Sequence, residues 1–196
     1  HRMTMGYTLA MGCIFGSLIG YLNSSQQIFQ DLYATGKLFT VYFGGLALVF
    51  GLASLANSFL VVKLGMRVLT YRSILAMIVT AMLFLLVQLL MPVSLWMFLI
   101  FAGVNFLCFG FLFGNANAIA MEPMGAIAGV ASAVIGSVSS LLALSLGTLI
   151  GQAFNNTLLP VTLGFLILCS AAWLAMRWAD GGAEAKPAVV EETGCS

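Results

Sequence analysis

Charged residues are rare in this chain. Only 7% of its 196 residues are Asp, Glu, Lys or Arg, whereas 62% are hydrophobic and the mean hydropathy is +1.10. A soluble domain usually carries about 25% charged residues, so this composition excludes a water-soluble protein. A formal net charge of +1 also gives no basic surface for nucleic acid.

Residues for catalysis or metal binding are missing from the apolar part of the sequence. The single histidine, His1, is terminal, and the four cysteines have neither the spacing of a metal site nor that of a disulfide framework. The acidic residues all fall in predicted loops, at a boundary or in the polar tail: Asp31, Glu122, Asp180, Glu184, Glu191 and Glu192. We therefore expect no catalytic pair, no metal and no cofactor, and the chain is predicted not to be an enzyme.

Six long apolar stretches fill most of the chain. A hydrocarbon core about 30 Å thick needs roughly 20 apolar residues in a helix, and backbone groups in lipid must find partners within their own segment. The sequence therefore predicts an all-α membrane protein with a six-helix bundle over residues 1–178 and a disordered cytoplasmic tail over 179–196. The predicted spans are Met5–Ser25, Phe39–Val62, Ile74–Met91, Ser94–Phe113, Gly125–Gln152 and Thr157–Met176.

The basic residues predict the orientation of these spans, because Lys and Arg are enriched in cytoplasmic loops. Numbering the faces alternately, one side carries Lys37 alone. The other side carries Arg2, Lys63, Arg67, Arg72, Arg177 and Lys186. Both termini and the loop from Lys63 to Arg72 are therefore expected in the cytoplasm.

Small residues recur at helical spacing in the first and fifth spans. Such faces let two helix backbones approach closely in a membrane, so we expect helix packing at Gly12, Gly16, Gly20, Gly129 and Gly136. Sliding of helices on the same faces is an alternative interpretation. The spacing of Gly44, Gly51 and Ser54 in the second span returns in the fifth as Gly129, Gly136 and Ser139, which is consistent with an inverted repeat of three-helix units but could also arise by chance among 21 glycines.

Neutral polar and aromatic side chains are the remaining candidates for a binding site. Amides are costly in lipid unless they face a partner or a watery cavity, so they either join helices or line a cavity. The candidates for a cavity are Tyr21, Asn23, Phe43, Asn105, Phe109 and Ser139.

Four segments resemble the Bcr/CflA drug-resistance group of the major facilitator superfamily. Residues 21–30 resemble its Tyr-Ile-Ser-x-Ser-Pro-Phe-x-x-Gln segment, with Gln26 and Gln27 in place of Pro-Phe. Residues 57–67 resemble the turn after the eighth helix, with its basic-x-Gly-x-Arg pattern. Residues 114–123 resemble the junction of the tenth and eleventh helices, and residues 128–133 the opening of the eleventh.

The resemblance implies the C-terminal six-helix half of a proton-coupled multidrug efflux transporter of the bacterial inner membrane. It implies an amphipathic organic drug as substrate, lipid around the bundle, and an N-terminal six-helix half that completes the cavity and carries the proton-coupling acid. Helices one, two, four and five would line the cavity. The loop carrying Lys63, Gly65, Arg67 and Arg72 would act as a cytoplasmic latch, although topology alone also explains its charges. The alternative is a non-transporting assembly partner or a half-transporter that pairs with itself.

Overall fold

The computed structural model describes residues 1–181, and it consists of six long helices. A π-helical turn, Ile28–Leu32, extends the first helix, and 3-10 segments lie at Gly36–Leu38 and Glu122–Ile127. All six long helices have the length and composition to cross a membrane, and the described residues contain no strand. The predicted all-α, six-helix membrane fold is confirmed. The helices are α1 (Arg2–Gln27), α2 (Phe39–Leu64), α3 (Met66–Leu90), α4 (Leu95–Met121), α5 (Ala128–Gln152) and α6 (Leu159–Asp180).

Two helices extend well beyond the spans predicted from their apolar residues. Helix α3 starts at Met66, because Gly65 adopts φ 82° and ψ 149° and joins it directly to α2. Helix α4 continues to Met121. An apolar run in the sequence marks only the part of a helix that lies in lipid. The helix itself can continue past that run, because polar side chains near its end reach the membrane surface. Of the predicted tail, Ala179 and Asp180 belong to α6, and residues 182–196 lie outside the described part.

The helices pack in a pattern with approximate twofold symmetry. Helix α1 packs on α5 and α6, and in the same way α4 packs on α2 and α3. Helix α1 also contacts α4, and α3 contacts α6. Exchanging the first three helices with the last three reproduces this set of contacts, as expected for two inverted three-helix repeats.

Glycines bring α1 and α5 into close contact. A Cβ atom added to Gly12, Gly16 or Gly20 would lie 2.8–3.0 Å from the nearest side-chain atom of α5. The opposing side chains are Leu142, Leu146 and Ile150, which also recur at four-residue spacing. Conversely, a Cβ on Gly147 would lie 2.5 Å from Ile19. The two helices therefore interlock along most of their length.

Gly129 and Gly136 do not take part in this packing. A Cβ on either would meet nothing within 4 Å, and both residues are exposed. The prediction that they pack helices within this bundle is wrong, because α5 turns its residues Ala131, Ile135, Ser139 and Ala143 inward instead.

The two ends of the bundle differ in chemistry. The basic end, where α1, α3 and α5 begin, carries Arg2, Arg67 and Arg72. The amide end, where those three helices finish, carries Asn23, Gln27, Gln152, Asn155 and Asn156.

Candidate functional site

Four helices form one layer, in the order α5–α1–α4–α2, and α6 and α3 cover the back of its two central members. The opposite face of this layer is called the wall here. Three phenylalanines cross it: Phe15 of α1 lies 4.6 Å from Phe113 of α4, and Phe113 lies 6.1 Å from Phe50 of α2, measured between ring centroids. Phe113 is 50% exposed, so this aromatic strip is open to a molecule in front of the wall.

The predicted residue Phe43 lies on the same side of α2 as the aromatic strip. It precedes Phe50 by seven residues, about two helical turns, and it is half-buried. Its ring packs 5.5 Å from that of Phe39. Phe43 therefore extends the aromatic surface toward the amide end.

The predicted residue Asn23 lies in a recess at the amide end between α1 and α5. The recess has a volume of about 460 Å³, and Asn23, Gln27, Thr148 and Gln152 contribute its polar groups. The Asn23 side chain is exposed, and its Nδ2 donates a long hydrogen bond of 3.4 Å to the carbonyl of Gly147. The recess is thus lined by neutral amides and a hydroxyl, which both donate and accept hydrogen bonds.

The other four predicted cavity residues lie inside the bundle. Tyr21, Asn105, Phe109 and Ser139 are each at most 1% exposed. The Tyr21 ring packs 5.2 Å from Phe106, and Ser139 Oγ donates to the Ile135 carbonyl of its own helix at 2.7 Å. In this arrangement they are buried and do not line an open surface, which corrects the expectation that they line a cavity.

Three buried polar atoms near the α1–α4 contact have no hydrogen-bond partner among the described residues. They are the Tyr21 hydroxyl, Ser24 Oγ and Asn105 Oδ1. Asn105 satisfies its Nδ2 by donating to the Phe101 carbonyl at 2.7 Å. A buried polar atom without a partner costs about 1–3 kcal/mol, so this interior is under-satisfied as it stands.

A charged cluster fastens four helices at the basic end. Asp180 of α6 accepts hydrogen bonds from Tyr7 of α1 at 3.1 Å and from Tyr71 of α3 at 2.7 Å, and Arg67 Nη1 lies 3.2 Å from it. Arg67 Nη2 lies 3.1 Å from Glu122, at the junction of α4 and α5. This set of residues is called the Asp180 cluster.

The sequence predicts Arg67 as part of a functional loop, but it predicts that Asp180 belongs to the tail. The charge of Asp180 follows a long apolar run, and nothing in the sequence indicates that α6 continues to it. The other predicted loop residues lie outside the cluster: Lys63 and Arg72 are exposed and form no ion pair with a described residue, and Gly65 forms the α2–α3 link.

Comparison with known proteins finds a relative among the transporters. The chain is 30% identical over 176 residues to the uncharacterized MFS-type transporter YdgK of Bacillus subtilis strain 168, where MFS denotes the major facilitator superfamily. The chain is similar to a transporter. The match covers 87% of this chain but 42% of the relative, so the chain spans less than half the length of that protein. No family model and no solved structure matches the chain.

The similarity and the six apolar helices together describe a multi-pass membrane protein related to a transporter. They point to a transporter and away from an enzyme. Among residues 1–181 no group of His, Cys, Asp and Glu side chains is arranged to hold a metal ion.

Proposed function

We propose that this chain is the C-terminal half of a major facilitator transporter, in which α1, α2, α4 and α5 form one wall of the substrate cavity. The observation that carries the proposal is the similarity to an MFS-type transporter along 87% of the chain. The symmetric packing of the two three-helix units supports it, because transporters of this kind are often built from inverted repeats. A bacterial inner-membrane location follows from the same proposal.

An amphipathic organic drug is the proposed substrate, moved outward in exchange for protons as the Bcr/CflA resemblance implies. The wall offers such a molecule an aromatic surface at Phe15, Phe50 and Phe113 and neutral amides at the recess around Asn23. Adaptable apolar walls suit a range of partners. Apolar area would supply most of the binding energy, and the amides would orient the polar part of the drug.

The unsatisfied polar atoms of Tyr21, Ser24 and Asn105 fit a wall that changes shape. We propose that α1 and α4 separate near these residues during transport, and that water then supplies the missing hydrogen bonds. Buried polar atoms without partners are costly, so a second conformation that satisfies them would offset part of the energy of opening.

Proton coupling in this proposal depends on the other half of the transporter. The acidic residues within the described helices, Asp180 among them, lie at helix ends. A coupled exchanger needs an ionisable group that both sides of the membrane can reach. We therefore assign the coupling acid to the proposed N-terminal six helices.

The same N-terminal half is the proposed partner for the open face of α5. Gly129 and Gly136 are exposed, and a Cβ atom added to either residue would have no neighbouring side chain or helix within 4 Å. Small residues permit close approach of helices, so a partner helix would pack there. A Gly136→Leu substitution should leave the thermal stability of this chain unchanged and abolish transport by the whole protein.

The Asp180 cluster is the proposed latch at the basic end. The Arg67–Glu122 pair is its exposed part, with side-chain exposures of 42% and 57%, whereas Asp180 is held by three donors. An exposed ion pair contributes about 0–1 kcal/mol, so it can open and close at little cost. Glu122→Gln should therefore shift the balance between two transport states more than it changes stability.

Transport by the full-length protein tests the main proposal. Inside-out vesicles energised by respiration should show drug-dependent release of protons. The release should fall in Phe113→Ala and remain normal in Phe59→Ala. Phe59 is a matched control, because it is 74% exposed and lies nine residues, about two and a half turns, from Phe50, on the opposite side of α2.

The result of this assay separates the proposals. Equal losses in the two variants would contradict the assignment of the wall. A complete lack of drug-dependent proton release in the native protein would contradict efflux and favour the alternative of a non-transporting assembly partner or a self-pairing half.

The orientation has its own test. A Met66→Cys variant of a cysteine-free protein should resist a membrane-impermeant thiol reagent added outside intact cells, because the basic end is proposed to be cytoplasmic. Lys37→Cys, at an exposed position of the amide end, is the control and should react. Labelling of position 66 in intact cells would reverse the proposed topology.

A further inference from the structure

A polar recess and an apolar groove meet at Met91, at the amide end of α3. The recess, of about 400 Å³, takes its polar groups from Tyr33, Gln88, Asn156 and Thr157. The groove, of about 300 Å³, runs along the seam between α3 and α4 and shares Met91 with the recess. On α3 it is lined by Thr80, Leu83, Phe84, Val87 and Met91.

The depth of the groove matches one leaflet of a bilayer. From Thr80 to Met91 the helix rises by roughly 16 Å, and half of a hydrocarbon core is about 15 Å. The recess lies beyond this depth, where α3 ends at Leu90 and α6 begins at Leu159. An occupant of both parts therefore has a polar head at the membrane surface and an apolar chain within one leaflet.

A second apolar groove flanks the other side of α3. It has a volume of about 470 Å³, lies between α3 and Leu166 of α6, and includes Met82, Leu86 and Leu89. These residues lie on the opposite side of α3 from Phe84 and Val87, as helical spacing requires. Leu83 lines both grooves, so its side chain lies between them on the outer surface of α3. There is space for two chains.

The recess suits a headgroup without net negative charge. None of its ten lining residues is charged. The Tyr33 hydroxyl donates to the Val93 carbonyl at 3.0 Å, and Gln88 Nε2 donates to Thr162 Oγ1 at 2.6 Å. The amide oxygen of Gln88 has no hydrogen bond to the described residues, so it is available as an acceptor. Burial raises the pKa of Tyr33 to about 12, which keeps that hydroxyl neutral.

We propose that this recess and the two grooves bind one zwitterionic phospholipid with a primary ammonium headgroup, of the phosphatidylethanolamine class, in the leaflet at the amide end. The ammonium group donates to the Gln88 amide oxygen, and the two acyl chains lie on either side of α3. An anionic headgroup would find no cation among the lining residues, and a choline headgroup has no N–H to donate. The site lies on the back layer, away from the wall, so the proposal is independent of the transported substrate.

Lipid retention by the purified full-length protein tests this site. The protein is equilibrated in nanodiscs containing equal parts of phosphatidylethanolamine, phosphatidylcholine and phosphatidylglycerol with identical acyl chains. It is then released into mild detergent, and its bound lipids are counted by native mass spectrometry. We expect one retained lipid, with phosphatidylethanolamine favoured about 2- to 10-fold over each competitor, the range that one hydrogen bond supplies.

Three variants locate the lipid. Val87→Trp fills the α3–α4 groove and should abolish retention, whereas Leu90→Trp, at a 74% exposed position on the same helix, should not. Gln88→Met should keep the lipid but lose the preference for ethanolamine, and Thr162 Oγ1 keeps its own bond to Leu158 at 3.0 Å. Equal retention of the three lipids by the native protein would overturn the headgroup assignment. Absence of retained lipid, or equal losses in the two tryptophan variants, would overturn the site.

Discussion

Helices α1 and α2 each contain 26 residues, yet α1 lies at the centre of the bundle and α2 at its edge. In its most apolar stretch, 61% of α1 is buried, compared with 11% of α2. The buried helix is the less hydrophobic of the two, and indeed the least hydrophobic of the six. Burial in this protein therefore does not follow hydrophobicity.

The difference shows what brings membrane helices together. Lipid tails are as apolar as leucine, so an apolar side chain gains little by leaving lipid for protein. Helix α1 instead supplies small residues that allow close contact with α5, and the Tyr7 hydroxyl, which donates a hydrogen bond to Asp180 of α6. Helix α2 is attached mainly through α4, where Gly110 lies against Ala53 and Phe50.

The largest expected effect is from filling a glycine of the central helix. Gly20→Leu should destabilise the protein by about 1–3 kcal/mol or more, because Ile150 already lies within 2.8 Å of a Cβ at this position. Gly51→Leu in α2 should be neutral or slightly stabilising, because nothing lies within 4 Å there and leucine favours helices. Thermal unfolding in detergent measures both. Similar losses in the two variants would remove the distinction between centre and edge.

A smaller effect is expected from the polar anchor of α1. Tyr7→Phe removes a hydroxyl that donates to the Asp180 carboxylate at 3.1 Å and should cost about 1–2 kcal/mol. Tyr42→Phe is the matched change in α2, where the hydroxyl makes no hydrogen bond to the described residues, and should have no effect on the same thermal assay. If Tyr42→Phe is the more harmful change, the polar anchoring of the bundle lies elsewhere.

The smallest effect is expected from the polar attachment of α2 itself. The side-chain amides of Asn57 and Asn115 exchange hydrogen bonds of 3.2 and 2.8 Å. Interhelical hydrogen bonds in membranes average about 0.6 kcal/mol, so Asn57→Leu should cost roughly that much. A double-mutant cycle with Asn115→Leu measures the coupling. A coupling well above about 2 kcal/mol would show that α2 is held by this pair and not by the close contact at Gly110.

Much of the packing on α1 could be predicted from its sequence. The four-residue repeat of Gly12, Gly16 and Gly20 indicates a close helix contact, and the structure shows α5 there. The same reasoning failed for Gly129 and Gly136, which face away from the rest of the bundle. A small residue allows another helix to approach closely, but it does not show that another helix lies there.

The candidate site was less predictable than the fold. Aromatic and amide residues were identified as cavity candidates, yet Tyr21, Asn105 and Phe109 are buried between helices, while Phe15, Phe50 and Phe113 lie on the wall. The Asp180 cluster could not be predicted either, because its members are far apart in the sequence. Asp180 is hydrogen-bonded to Tyr7, 173 positions away, and to Arg67, 113 positions away. No local pattern links residues so far apart.

The sequence by itself determined the number of helices and their membrane character, because each helix satisfies its backbone hydrogen bonds internally and needs a fixed length of apolar residues to cross the lipid. Tertiary structure decided which helix packs on each face, and which faces meet lipid or the wall. Hydropathy cannot make that choice, since the protein interior and the lipid are equally apolar. Specific contacts decide instead which face meets which helix. Gly20 packs against Ile150, and Asp180 is contacted by Tyr7, Arg67 and Tyr71.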